Sequence, residues 1–324
     1  MVSMMDEFSL IHAIKQKYYK QSSLLKGIGD DAAVFRETAD DMVVAVDTFV
    51  EGVHFTKETM SALHIGYRAL AANLSDMAAM GASPVYYLVS IVVPKSWNED
   101  AISDIFTGMK QLANEYDADL IGGDTVSGQT LVLSITVLGR VEKDKSRYRS
   151  TAEAKDIVFV TGTLGDSRAG LFLLQNDMKI DARDYFIKRH RMPSPRVDFA
   201  RGIAELKRVA LNDVSDGLAS EANEIAEASE VTIVLHDELI PVHSGYKQFP
   251  PDKQANWKYF GGEDFELLGT VPKEDWPFVQ LVADHLKLKL TEIGYVIKRI
   301  EQHVYLKQDD KYNVLKKAGY THLK

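Results

Sequence analysis

The sequence predicts an α/β fold in two domains, and three observations carry that expectation. At 324 residues the chain is long for one core and comfortable for two of ordinary size. Short β-branched runs alternate along it with stretches of helical period, the order from which α/β sheets are built. Acidic corners recur where strands end or helices begin, at Gly27-Ile28-Gly29-Asp30-Asp31, Val46-Asp47-Thr48, Leu74-Ser75-Asp76, Gly122-Gly123-Asp124-Thr125, Asp213-Val214-Ser215-Asp216-Gly217 and Gly261-Gly262-Glu263-Asp264. Those are the places where an α/β sheet gathers its ligand groups.

Taken in order, Asp6 to Tyr19 opens with acids and spaces Phe8, Ile11, Ile14 and Tyr18 as one face of a helix. The glycine-rich turn at Gly27 runs into an apolar strand through Phe35, and Met42 to Val46 is a second strand ending at Asp47. Ser61 to Met80 reads as a helix closed by Gly81, with Asn73 and Asp76 on one face because they lie three apart. Val85 to Val93 is a strand stopped by Pro94, and Asn98 caps a helix to about Tyr116. Asp119 to Ile121 is a strand stub, Thr130 to Val141 a full strand, and the charged, aperiodic Glu142 to Ala154 a linker. The second domain restarts with the strand Asp156 to Val160 and a turn at Thr161 to Asp166 that opens a helix through Leu174. Helices over Arg196 to Leu206, Leu218 to Ser229 and Asp275 to Leu286 then alternate with strands at Val231 to Leu235, Phe265 to Val271 and Leu290 to Val296.

Composition narrows the function. A 45% hydrophobic content with mean hydropathy of −0.17 describes a globular chain, and no apolar run approaches the roughly 18 residues of a membrane span. Met1 to Glu7 lacks a basic region followed by an apolar one, so a cytoplasmic location is expected. Zero cysteines exclude disulfides, thiolate metal sites and a cysteine nucleophile. A net charge of −9 argues against nucleic acid as a partner and implies that an anionic substrate needs metal ions.

No Walker loop and no protein-kinase signature is present. Gly27 to Ala32 fits the dinucleotide pattern only loosely, and its two acids would face the pyrophosphate. His54, His190 and His236 show no metal-ligand spacing. Six aspartates, Asp30, Asp47, Asp76, Asp124, Asp213 and Asp216, sit among Gly, Ser and Thr, a setting in which Mg²⁺ takes carboxylates and fills its octahedron with water and phosphate oxygens. If they converge, a cation is nearly obligatory, since two like charges ~4 Å apart repel by about 4 kcal/mol at an effective dielectric near 20.

Gly27 to Ala33, Asp47-Thr48-Phe49-Val50-Glu51-Gly52-Val53-His54-Phe55, Ala71 to Ala82, Ile121 to Thr125, Val160 to Ser167, Asp213 to Leu218 and Gly261 to Leu268 together resemble the thiamine-monophosphate kinase family, in family order and over nearly the whole chain. The wider superfamily includes aminoimidazole ribonucleotide synthetase, selenophosphate synthetase and a hydrogenase-maturation dehydratase. The last two use a cysteine or selenocysteine that is missing here. The resemblance implies mixed sheets flanked by helices, domains at 1–148 and 149–324, and an N-terminal sheet that pairs with its copy across a homodimer. It also implies ATP as co-substrate, several Mg²⁺ ions, and thiamine monophosphate converted to thiamine diphosphate, the final step in making that cofactor. Asp30, Asp47, Asp76, Asp124, Asp213 and Asp216 would hold metal, with turnover depending on Asp47, Asp124 and Asp213. Gly123, Asp124, Arg149 and Ser215 match ATP-contacting positions; His54, Glu263 and Tyr320 match positions that bind the thiamine phosphate. Phe106 and Tyr116 are the aromatics considered for adenine.

Three departures from the family pattern stand out. Val46 replaces a hydroxyl residue before Asp47, Val126-Ser127 replaces a Thr-Arg pair, and Leu323 replaces a closing aromatic. Two alternatives stay beside the kinase: another ATP-dependent synthetase of the superfamily, disfavoured by the His54, Glu263 and Tyr320 set, and a non-catalytic Mg-nucleotide binding protein, disfavoured by retention of all six aspartates.

Overall fold

A computed structural model describes residues 24–26, 30–36 and 39–319. The helix expected over Asp6 to Tyr19, the glycines at 27 and 29, Tyr320 and Leu323 lie outside the described residues. Among the described residues, the first half holds a six-stranded mixed sheet in the order β1 (Leu24–Lys26), β2 (Ala33–Arg36), β3 (Asp41–Val50), β6 (Val132–Val141), β4 (Ser83–Pro94), β5 (Asp119–Gly128). All neighbours are antiparallel except β4 and β5. In β3 the buried Val43, Ala45 and Phe49 alternate with the exposed Val46 and Thr48, so one face meets the core. The strand runs past its expected end, which puts Asp47 inside it, opposite Ile135.

The stub expected at Asp119 likewise extends to Gly128, because the backbone at Gly123 lies against β4: a Cβ there would be 1.9 Å from the Val89 carbonyl oxygen. β5 is the sheet edge and is exposed along its whole length, Leu120, Ile121 and Val126 included.

Helices α1 (Ala62–Ala79) and α2 (Glu99–Glu115) pack on this sheet. Ser61 caps α1 by accepting from the His64 N–H, and Asn98 caps α2 by accepting from the Ala101 N–H at 2.9 Å. The two cross closely because each gives up a side chain. A Cβ on Gly66 would be 1.8 Å from Ile105 O, and one on Gly108 1.9 Å from Leu63 O.

The second half is built on β7 (Ile157–Thr161), α3 (Asp166–Gln175), α4 (Arg183–Arg191), α5 (Val197–Gly202), β8 (Ala210–Asp213), α6 (Leu218–Ala228), β9 (Val231–His236), α7 (Pro251–Phe260), β10 (Leu267–Val271), α8 (Trp276–His285), β11 (Leu290–Lys298), β12 (Val304–Gln308) and β13 (Lys311–Val314). Its seven strands lie in the order β13-β12-β9-β11-β7-β10-β8, parallel only between β12 and β9. The largest apolar cluster is not confined to either half. Leu70, Leu74, Met77 and Ile135 share it with Phe159, Phe199, Leu211 and Phe265.

Candidate active site

α1 is buried along most of its length, yet it carries Arg68, Asn73, Ser75 and Asp76. Polar groups are kept in such a place only with partners, and among the partners here are three functional candidates, Asp47, Asp213 and Glu263. Asn73 Oδ1 accepts the Asp47 N–H at 3.1 Å, and Ser75 Oγ donates to Asp213 Oδ2 at 2.6 Å. Asp213 ends β8, so a helix of the first half and a strand of the second meet at one carboxylate.

Asp31, Asp76 and Asp213 each present a carboxylate oxygen within 4.8 Å of the other two. Arg149 braces the group. Its guanidinium pairs with Asp31, with Glu224 at 2.8 Å and with Asn212 Oδ1 at 3.1 Å, while its backbone N–H donates to Asp30 Oδ1 at 3.1 Å. Asp31 Oδ2 and Asp213 Oδ1 are buried with no hydrogen-bond partner among the described residues. Burial pushes the Asp31 carboxyl up to about 6 against the pull of Arg149, and burial alone does the same to Asp47. Asp76 and Asp213 are pushed well above the usual carboxylate range, first by burial and then by neighbouring aspartates. Clustered, orphaned carboxylate oxygens of this kind suit a hard divalent cation. The donor set therefore fits magnesium.

Beside the cluster opens a cavity of about 950 Å³ whose lining includes Asp47, His54, Arg168, Ser215, Asp216 and Glu263. His54 Nδ1 accepts the Val50 N–H at 3.0 Å, and its ring lies 5.0 Å from that of Phe49. Ser215 Oγ and the Asp216 N–H both donate to Glu221 Oε1, at 3.4 and 2.9 Å. Glu263 takes a left-handed backbone, φ 67°, in a loop that also carries Phe265 at φ 52°. Ala318 and Gly319 line the cavity immediately before Tyr320.

Of the aspartates singled out from sequence, Asp76 and Asp213 come together, with Asp47 near enough to raise the ionisation range of both. Asp30 instead pairs with Lys26 at 2.5 Å, and its neighbour Asp31 takes the inward place. Asp216 lies on the cavity wall. Asp124 and Gly123 stand apart on exposed β5, where Asp124 Oδ1 accepts the Thr125 N–H at 2.9 Å. Phe106 packs against the core and Tyr116 donates to Pro195 O at 2.9 Å; neither lines the cavity. Ser75 and Arg68 carry no role in the sequence reading, and Asp31 enters it only as half of the acidic Asp30-Asp31 corner. The adjacent Asp30-Asp31 pair signals a carboxylate but not which one joins Asp76 and Asp213; both are held by Arg149, 118 positions beyond Asp31, through its backbone N–H and its guanidinium respectively.

Residues 29–141 match the family described as AIR synthase related protein, N-terminal domain, and residues 153–307 match its C-terminal domain. The chain is thus a two-domain protein of the AIR synthase related class, with both halves present. It is 48% identical over 326 residues to a thiamine-monophosphate kinase of Bacillus subtilis, covering 99% of this chain and 100% of that one. Identity to the Escherichia coli K12 thiamine-monophosphate kinase is 36% over 329 residues, covering 98% of each. A solved structure described as AaThiL complexed with AMPPCP and TMP matches at TM-score 0.85 and 31% identity, over 99% of this chain and 98% of that one. The chain belongs to the thiamine-monophosphate kinase family.

Proposed function

We propose that this chain transfers the γ-phosphoryl group of ATP to thiamine monophosphate, giving thiamine diphosphate and ADP. The observation that carries the reading is the three-carboxylate cluster beside the cavity, in a chain 48% identical over its length to a kinase with this acceptor in its name.

The acceptor is itself a phosphate and anionic at neutral pH, so attack needs no general base. Positioning and charge neutralisation suffice. We assign magnesium to Asp31, Asp47, Asp76 and Asp213, with Asp124 and Asp216 as further ligands and Asp30 in support. Bound there, magnesium would neutralise the oxygens between which the phosphoryl group passes. Ser75 and Asn73 hold Asp213 and the Asp47 backbone in place. Gly123, Asp124, Arg149 and Ser215 are assigned to ATP, and His54, Glu263 and Tyr320 to the acceptor. Among the catalytic roles, Asp47, Asp124 and Asp213 are the side chains on which turnover should depend.

We further propose a cytoplasmic homodimer with the domain boundary at 148/149. The edge of β5, unpaired among the described residues and carrying exposed Leu120, Ile121 and Val126, favours the dimer, since exposed strand edges are ordinarily covered. Among the described residues, no helix is long and apolar enough to cross a membrane.

The test is ADP release with ATP and Mg²⁺, comparing thiamine monophosphate, free thiamine and no acceptor. Stimulation by the monophosphate alone, with thiamine diphosphate formed, is the expected result. No stimulation by any of them refutes the reading.

A further inference from the structure

Arg68 is wholly buried on α1, in the first half of the chain, while among the described residues every polar group its side chain contacts belongs to the second half. Its Nη1 donates to the backbone carbonyl of His190. Its Nη2 lies 2.8 Å from Glu263 Oε2 and 3.5 Å from Ser167 Oγ, and the guanidinium sits 5.6 Å from the centre of the Phe265 ring. Glu263 is its one carboxylate partner among the described residues. A buried guanidinium without its counter-charge is strongly destabilising, so Arg68 and Glu263 hold each other in place.

Glu263 needs that hold. It and Phe265 both occupy left-handed backbone that L-residues disfavour. The loop is tied down by the Glu263 N–H donating to Ser215 O at 2.7 Å and the Phe265 N–H donating to Val214 O at 3.0 Å. Between those two backbone ties, Asp264 accepts the Gly165 and Ser167 N–H groups at 2.6 and 2.9 Å, turning it away from the cavity that Glu263 lines. The backbone ties fix where the loop runs, and Arg68 fixes where the Glu263 carboxylate points.

We propose that Arg68 is a positioning residue for the acceptor, acting through Glu263 across the boundary between the two halves. This rests on Glu263 binding the acceptor, as assigned above. Lysine cannot replace it, because the planar fork reaches three acceptors from three segments and an ammonium offers a single nitrogen.

The test is steady-state kinetics on full-length Arg68→Lys, Glu263→Gln and the double variant, varying each substrate in turn. Arg68→Lys should raise KM for thiamine monophosphate about tenfold, the scale of one misplaced charge-assisted contact, with kcat and the KM for ATP within about twofold of wild type. The double variant should be no worse than the poorer single, because both changes disable one unit. An unchanged acceptor KM, a parallel rise in both KM values, or fully additive effects would overturn the proposal. Should Arg68→Lys fail to fold, Glu263→Asp decides: it shortens the carboxylate's reach while leaving Arg68 in place, and an unchanged acceptor KM would again overturn it. Wild-type turnover separates the two levels. No turnover with thiamine monophosphate defeats the functional reading and this inference together, whereas normal wild-type turnover with an indifferent Arg68→Lys defeats the inference alone.

Discussion

Replacing Asp47 by asparagine should make the metal-free protein more stable while abolishing its activity. The change keeps the side chain's shape and removes its charge, and the hydrogen bond to Asn73 survives because it comes from the Asp47 backbone N–H. In the folded chain burial raises this carboxyl from 3.8 to about 6. The folded state therefore holds a proton that the unfolded state has released between those values, and stability falls as pH rises through that window. At about 1.4 kcal/mol per pH unit the full cost is about 3 kcal/mol, all of it present at pH 8 and about half at pH 5. The asparagine variant escapes this cost. With an unfolding entropy of about 0.7 kcal/mol/K for a chain of this length, Tm should rise by about 4 °C at pH 8, and by about half as much at pH 5. Differential scanning calorimetry in EDTA reads both values. The same variant should lose turnover by at least about 10²-fold, the scale for removing one preorganised electrostatic contact. A variant no more stable than wild type at pH 8, or equally stabilised at both pH values, would refute the account of the site as charge held against burial. Retained turnover would refute the role in catalysis.

Arg149→Met should cost about 3 kcal/mol, because Asp31 and Glu224 lose a shared partner, and should raise the KM for ATP; an unchanged urea midpoint would count against it. Gly108→Ala should destabilise by about 1–3 kcal/mol despite alanine's better helix propensity, since the added methyl would meet Leu63 O at 1.9 Å; a gain in Tm would show that α1 and α2 can part without loss. Ile121→Lys on the edge strand should convert a dimer to monomer in sedimentation velocity, and a dimer that persists would place the contact elsewhere.

How much was legible in the sequence followed from what each signal depends on. Helices with a local start signal, Ser61 before α1 and Asn98 before α2, were readable to within a residue or two because a cap is a short-range device. α4 and α7 escaped, since neither Arg183–Arg191 nor Pro251–Phe260 carries a clean apolar period. Strands run on past local stop signals: Asp47 continues β3 because it pairs with β6, and the chain beyond Ile121 continues β5 because Gly123 lies against β4. At the site, the residue types were visible but their company was not. Asp31 in the cluster is held by an arginine 118 positions away, and Ser75 supports Asp213 through a contact across 138 positions. Pairings of that kind are written in the packing of the two halves and leave no mark on spacing.

The apolar cluster that runs from Leu70 and Ile135 into Phe159, Leu211 and Phe265 also constrains how such a chain can change over generations. Neither half, taken alone, could cover the surface it now lends to the other, so each would expose a broad greasy flank and clump. A crossover that joined the front of one relative to the back of another would have to match this shared interior as well as the loops that touch substrate. Exchange at the stretch near residue 150 should therefore succeed only between close kin, and the two halves should drift as a pair.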